Sequence, residues 1–118
     1  MPGQYAFPRS ERLLRRKEYL QIYDEGRKSV GRQFIFYLVR SQDQERKFGI
    51  AVSRRVGNAV VRNRVKRTIR EVYRHHRPLL DNGMRMVIVA RPAAAQLTYQ
   101  QSFDAIGKLF RKEGVLRD

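Results

Sequence analysis

Cysteine and tryptophan are absent from this 118-residue chain, and acidic residues are scarce, with 11 Asp+Glu against 26 Lys+Arg. The lack of cysteine excludes a disulfide framework, a thiolate metal site and a cysteine nucleophile, and it suits a reducing compartment, so a cytoplasmic location is expected. No run of about 18 apolar residues occurs, and residues 1–16 hold no signal-peptide pattern, so neither membrane spanning nor export is expected. The carboxylates are scattered singly or in surface pairs, with no clustered acidic motif for two-metal catalysis. Ser53 and Ser102 have no evident His and Asp partners, and the phosphate-cradling GxxxxGK[ST] pattern is missing. His75 and His76 are adjacent, about 100° apart on a helix, which makes a poor chelating pair and suits cations at a helix end. These absences weigh against an enzyme working through its own side chains.

What the chain does have is positive charge, a formal +15 at pH 7. On so small a body that charge attracts polyphosphates by long-range fields and counterion release. Arg outnumbers Lys, which favours bidentate phosphate contacts. Hydrophobic residues make up 42% of the chain, enough for a core, and no repeat or linker divides it, so residues 1–118 are expected to form one basic domain. Pro2, Gly3 and Pro8 disrupt residues 1–9, which are expected to be a flexible arm.

Apolar spacing predicts a helix over 17–25, with Gly26 as a left-handed cap. Residues 33–40 and 47–53 read as strands joined into a hairpin by a mobile polar loop. Alternation places Ile35, Tyr37 and Val39 on one face of the first strand and Phe34, Phe36 and Leu38 on the other, and both faces are expected to be largely covered. Asn58 caps a helix over 59–77, residues 84–89 form a buried strand, and the Thr98/Gln101 pair opens a last helix carrying Phe103, Ile106, Leu109 and Phe110. The expected order is helix, strand, strand, helix, strand, helix.

The stretch 53–77 is the most informative. At 100° per residue, Val61, Val65, Ile69 and Val72 form an apolar stripe that must pack on the sheet. Asn63, Lys66, Arg67, Arg70 and Arg74 project from the other side, flanked by Arg64 and Arg62, with Glu71 as the one interruption. Cationic runs are often simply solvated faces, but those normally mix signs. Here like charges recur at i+3 and i+4, a repulsion that a bound polyanion would relieve. Upstream, Arg54, Arg55 and Gly57 lead into the helix N-terminus, where free N–H groups favour phosphate. Tyr19 and Tyr23, one turn apart, together with Tyr37 and Phe34, could form a stacking platform for unpaired bases, although the same spacing also fits a core face.

Residues 49–67, GIAVSRRVGNAVVRNRVKR, resemble the signature of the bacterial ribonuclease P protein component, whose hallmark is an Arg-Asn-Arg helix, here Arg62-Asn63-Arg64. The resemblance extends to the Tyr19/Tyr23 helix, the Arg32-Gln33-Phe34 strand start, the Ala90-Arg91-Pro92 exit and the Leu97-Thr98-Tyr99 helix start. It implies an α/β fold, specifically an α+β two-layer sandwich with helices packed on a small mixed sheet. That fold is shared with a domain of a ribosomal protein and has a left-handed βαβ crossover. It further implies an accessory subunit of an RNA enzyme that removes the 5′ leader from precursor tRNA. The partners would be the catalytic RNA and precursor tRNA, with no membrane and no protein partner, and Mg²⁺ would be held mainly by RNA and substrate. Arg54, Arg55, Asn58, Arg62, Asn63, Arg64, Lys66, Arg67 and Arg70 would then meet the RNA subunit, while Tyr19, Tyr23, Phe34 and Tyr37 would line the leader cleft. The competing reading is a ribosomal or general RNA-binding module with no nuclease role.

Overall fold

The computed structural model describes residues 5–117. Three helices and four strands follow one another as α1 (Arg16–Glu25), β1 (Arg27–Val30), β2 (Phe34–Arg40), β3 (Arg46–Val52), α2 (Ala59–His76), β4 (Met84–Ala90) and α3 (Tyr99–Lys112). They form a mixed α/β architecture on one sheet of order β1-β2-β4-β3, antiparallel except where β3 runs parallel to β4.

The expected hairpin between β2 and β3 is not formed. β4 lies between them, pairing with β2 from Phe34↔Ala90 to Arg40↔Met84 and with β3 from Arg46↔Met84 to Val52↔Ala90. The polar stretch after β2 therefore turns against the start of β4, with Ser41 N donating to Gly83 O at 2.9 Å and Met84 N to Glu45 O at 3.1 Å. The hairpin that does form is β1–β2, through Gly31, Arg32 and Gln33. β1 has no counterpart among the expected elements, because four residues with two cations and one β-branched side chain carry almost no strand signal. Gly26 is extended (φ −77°, ψ 150°) rather than left-handed, since the chain passes straight from α1 into β1.

Helix α2 starts where Asn58 Oδ1 accepts from Val61 N at 3.0 Å and stops where Pro78, lacking an N–H, cannot continue the ladder. Thr98 Oγ1 accepts from Gln101 N at 3.1 Å, and Gln101 Oε1 accepts from Thr98 N at 2.9 Å, which closes the expected capping box of α3.

Alternation along β2 divides the interior into two clusters. Phe34, Phe36 and Leu38 face α2 and α3, meeting Val65, Ile69, Val72, Ile106 and Phe110 in the main core. The other face carries Tyr37, Val39, Val87 and Val89 under α1, where Ile22 and Leu13 are buried. Short α1 leaves this second face only partly covered, so Ile35, Tyr37 and Val39 remain half-buried, contrary to the expectation for both faces.

The arm is also corrected within the described residues. Phe7 is buried, with its ring centroid 4.7 Å from Tyr73 and 5.8 Å from Phe48, and Leu13 N donates to Phe48 O at 3.1 Å, laying the segment on the outer edge of β3. Residues 1–4 lie outside the described residues. His76 is likewise in the core, its ring stacked on Phe103 at 4.3 Å, and burial lowers its pKa, so it is not the helix-end cation expected. His75 is the exposed member of the pair.

Candidate RNA-binding surface

The last residues of β3 deliver the chain to a single 3₁₀ turn, Arg54–Val56, with both arginines exposed. At Gly57 (φ 158°) the backbone crosses to α2, and a Cβ there would lie 2.8 Å from Val61 Cγ1, so only glycine lets the two segments meet this closely. The expected stripe packs inward: Val65, Ile69 and Val72 are buried and Val61 lies against the core edge. That fixes the rotation of α2 and turns Asn63, Arg64, Arg67 and Arg70 to solvent, with Arg62 and Lys66 half-buried beside them.

Among the described residues, the side chains of Arg54, Arg55, Arg62, Lys66, Arg67 and Arg70 have no hydrogen bond or ion pair. The exceptions on this helix are informative. Arg64 donates to the Ala95 carbonyl, which ties α2 to the segment after β4, and Arg74 pairs with Glu71 and donates to Tyr5 O at 3.0 Å. Asn58 uses one lone pair of its side-chain oxygen on the helix cap and keeps its amide N–H groups for another partner.

Tyr19, Tyr23 and Tyr37 are brought together on the opposite face of the sheet. The Tyr23 and Tyr37 rings meet at 4.8 Å and 62°, Tyr19 lies 6.4 Å from Tyr23, and Lys28 Nζ sits 5.9 Å from the Tyr37 ring centroid. Tyr19 can lie flat on β3 because residue 49 is glycine, where a Cβ would stand 2.7 Å from the ring. All three rings are half-buried, packed on one side against the smaller core cluster and open on the other. Burial raises the phenol pKa of Tyr19 and Tyr23, which keeps both neutral and able to donate. Beside them lies an open groove of ≈ 390 Å³ lined by Tyr23, Tyr37, Ala51, Val52, Ser53 and Val89.

Phe34 does not join them. It is 1% exposed and faces α2 and α3, on the side of β2 away from Tyr37. Strand alternation separates residues 34 and 37, and that physical constraint overrules the placement implied by resemblance.

Two features join the aromatic groove to the cationic helix. At one end the groove is lined by Ser53, the residue that precedes the exposed Arg54 and Arg55 in the chain. At the other, Tyr19 shares a cavity of ≈ 240 Å³ with Arg12, Leu13, Lys66 and Arg70 across the β3 edge.

Sequence reasoning missed a charged centre that supports this edge. Glu11, whose side chain is 13% exposed, accepts from Tyr73 Oη at 2.6 Å, Arg77 Nε at 3.0 Å, Arg77 Nη2 at 2.5 Å and Arg46 Nε at 3.4 Å. Burial alone would raise the Glu11 carboxyl, but the hydrogen bonds from Arg77 and Tyr73 and the nearby Arg46 charge outweigh it and hold it below its ordinary range. Burial, followed by the carboxylate itself, pushes the Tyr73 phenol far up. A lone Glu in a polar segment gives no sequence signal of such a centre.

A family model described as Ribonuclease P matches residues 7–114. The chain is 39% identical over 119 residues to the ribonuclease P protein component of Dictyoglomus thermophilum, covering 98% of both chains. It is 42% identical over 110 residues to that of Desulforapulum autotrophicum, covering 93% and 94%. In solved structures, the RNase P protein of Staphylococcus aureus superposes with a TM-score of 0.84 at 27% identity, over 92% of this chain and 100% of that one. The RNase P protein of Thermotoga maritima shares the fold, with a TM-score of 0.78 at 24% identity, over 86% and 96%.

Proposed function

This chain belongs to the ribonuclease P protein family, the protein component of a tRNA-processing ribonucleoprotein, and on that premise we propose that it assists a catalytic RNA in removing the 5′ leader from precursor tRNA. The observation that carries the reading is the nearness of the two surfaces: an aromatic groove is lined by Ser53, next in the chain to the exposed Arg54 and Arg55, and Tyr19, 6.4 Å from the groove's Tyr23, shares a second cavity with Lys66 and Arg70. Single-stranded RNA presents unstacked bases and a phosphate chain side by side, and this surface offers ring faces beside cations.

In this reading the outer face of α2 seats the protein on the RNA subunit. Arg62, Lys66, Arg67 and Arg70 have no partner to give up among the described residues, so their charge is available to phosphate at little reorganisation cost. Asn63 adds a donor and an acceptor for a base edge or a 2′-hydroxyl. Tyr19, Tyr23 and Tyr37 take the leader, which mature tRNA lacks, so the protein strengthens precursor binding over product binding. No side chain attacks or protonates the scissile phosphate. The resemblance also implies Mg²⁺, which in this reading is held mainly by the RNA subunit and the substrate.

The test is cleavage of a 5′-labelled precursor tRNA at low Mg²⁺ with the protein alone, a bacterial ribonuclease P RNA alone, and the two mixed. Cleavage only in the mixture is expected. Absence of stimulation, with an RNA that is active at high Mg²⁺, would overturn the reading. Equal stimulation of precursor binding and leaderless tRNA binding would overturn the leader role alone.

A further inference from the structure

A second basic surface lies at the other edge of the sheet. The β1–β2 turn and the outer side of α3 enclose an open groove of ≈ 620 Å³ whose rim carries Arg32, Lys108, Arg111 and Lys112. Among the described residues none of these four side chains makes a hydrogen bond or ion pair. One acid, Asp104, borders the groove, and its carboxylate already accepts from Gln100 Nε2 at 2.9 Å. The floor is aliphatic, formed by Val30, Ala105 and Leu109, and Val30 is 54% exposed, although it sits on a strand beside a core.

The turn is held in place from below. Arg91 Nη1 donates to Gly31 O at 2.8 Å and Arg91 N to Gln33 O at 2.9 Å, so Arg32 is presented from a backbone anchored on both sides. Favourable placement near the negative end of a helix accounts for Arg111 and Lys112 but not for Lys108 one turn earlier, nor for Arg32 on a different element across the groove. Lys108, Arg111 and Lys112 stand at i, i+3 and i+4, an arrangement that is mutually repulsive unless an anion lies among them.

We propose that this groove is a second RNA-binding site, taking the phosphodiester backbone on its cationic rim and a ribose or base edge on its aliphatic floor. It is separate from the surface around α2. β1 and β3 are opposite edges of the sheet, three inter-strand spacings apart, about 14 Å. The two sites therefore grip different phosphates, and the protein bridges two stretches of RNA rather than lying on one. The proposal rests on the assignment of an RNA partner made above.

The experiment measures binding to a bacterial ribonuclease P RNA across a salt series, for the native chain, for the quadruple variant Arg32→Gln, Lys108→Gln, Arg111→Gln, Lys112→Gln, and for Arg67→Gln with Arg70→Gln. The slope of log K against log salt is expected to fall by roughly 3 in the quadruple variant, at about 0.7–0.9 for each phosphate no longer neutralised. Because the chain has no cysteine, a hydroxyl-radical probe can also be tethered uniquely at Asp104→Cys in the groove or at Val60→Cys on α2. Cuts from the two positions are expected at different RNA segments. An unchanged slope, or cuts from position 60 but none from 104, overturns the second site and leaves the α2 reading standing. If Arg67→Gln with Arg70→Gln also binds normally and neither probe cuts, both readings fall.

Discussion

The arginines and tyrosines around Glu11 and those along α2 and the groove are the same residue types put to opposite uses. Arg46 and Arg77, about a tenth exposed, converge on one carboxylate, and Tyr73 gives its hydroxyl to the same group. Arg67 and Arg70, on the same helix that ends at His76, face solvent with no partner among the described residues, and Tyr23 and Tyr37 keep one side open. In so basic a chain, then, charge alone does not mark an interface. What marks the proposed interface is charge left unmatched among the described residues.

The largest effect should come from treating Phe34 as an interface residue. Phe34→Ala empties a core site and is expected to cost roughly 3–5 kcal/mol of stability, measured by urea unfolding. A stable variant with selectively weakened leader binding would instead class Phe34 with Tyr23 and Tyr37.

Glu11→Gln comes next. It leaves two part-buried guanidinium groups without their counterion, and a loss of about 3 kcal/mol is expected in the same measurement. The folded Glu11 carboxyl titrates below its ordinary 4.5, so its contribution is complete above that pH and is lost as pH falls through the lower folded value. The native chain should therefore weaken with acid below about pH 4.5, and the variant should show a flatter profile in that window.

Arg67→Gln with Arg70→Gln should invert that pattern. Unfolding should shift by no more than about 0.5 kcal/mol, because these side chains make no hydrogen bond or ion pair among the described residues. Affinity for the RNA subunit should fall by roughly 3 kcal/mol, at about 1.5 kcal/mol or more for each charge-assisted hydrogen bond, as measured by filter binding. Tyr23→Ala probes the aromatic half: precursor binding should weaken by about 1–3 kcal/mol for one base left unstacked, with leaderless tRNA unaffected.

Much of this was legible because it is local. The stripe at Val61, Val65, Ile69 and Val72 fixed which side of α2 is wet, and Asn58 and Thr98 marked where helices begin. Non-local facts were not legible. Nothing between residues 40 and 46 says that β4 comes between β2 and β3, because pairing is decided by which faces can be covered together. Glu11 meets Arg77 and Tyr73 from more than sixty residues away, and β1 exists because a neighbour completes it rather than through its own propensity. Phe34 carries a different lesson, since the period-two rule put it opposite Tyr37 and resemblance placed both in one cleft.

The position of β4 bears on how the molecule is made. The strand that zips β2 to β3 is synthesised after both of them and after α2, and Val89, part of the groove wall, comes with it. A ribosome that has released the whole cationic helix has not yet released the strand that completes the sheet. The nascent chain is thus an unfinished polycation, with two unpaired strand edges exposed, before the aromatic groove is complete. Closing the sheet and completing the groove wall are therefore one event, and it depends on pairings distant in sequence, which are slow to form.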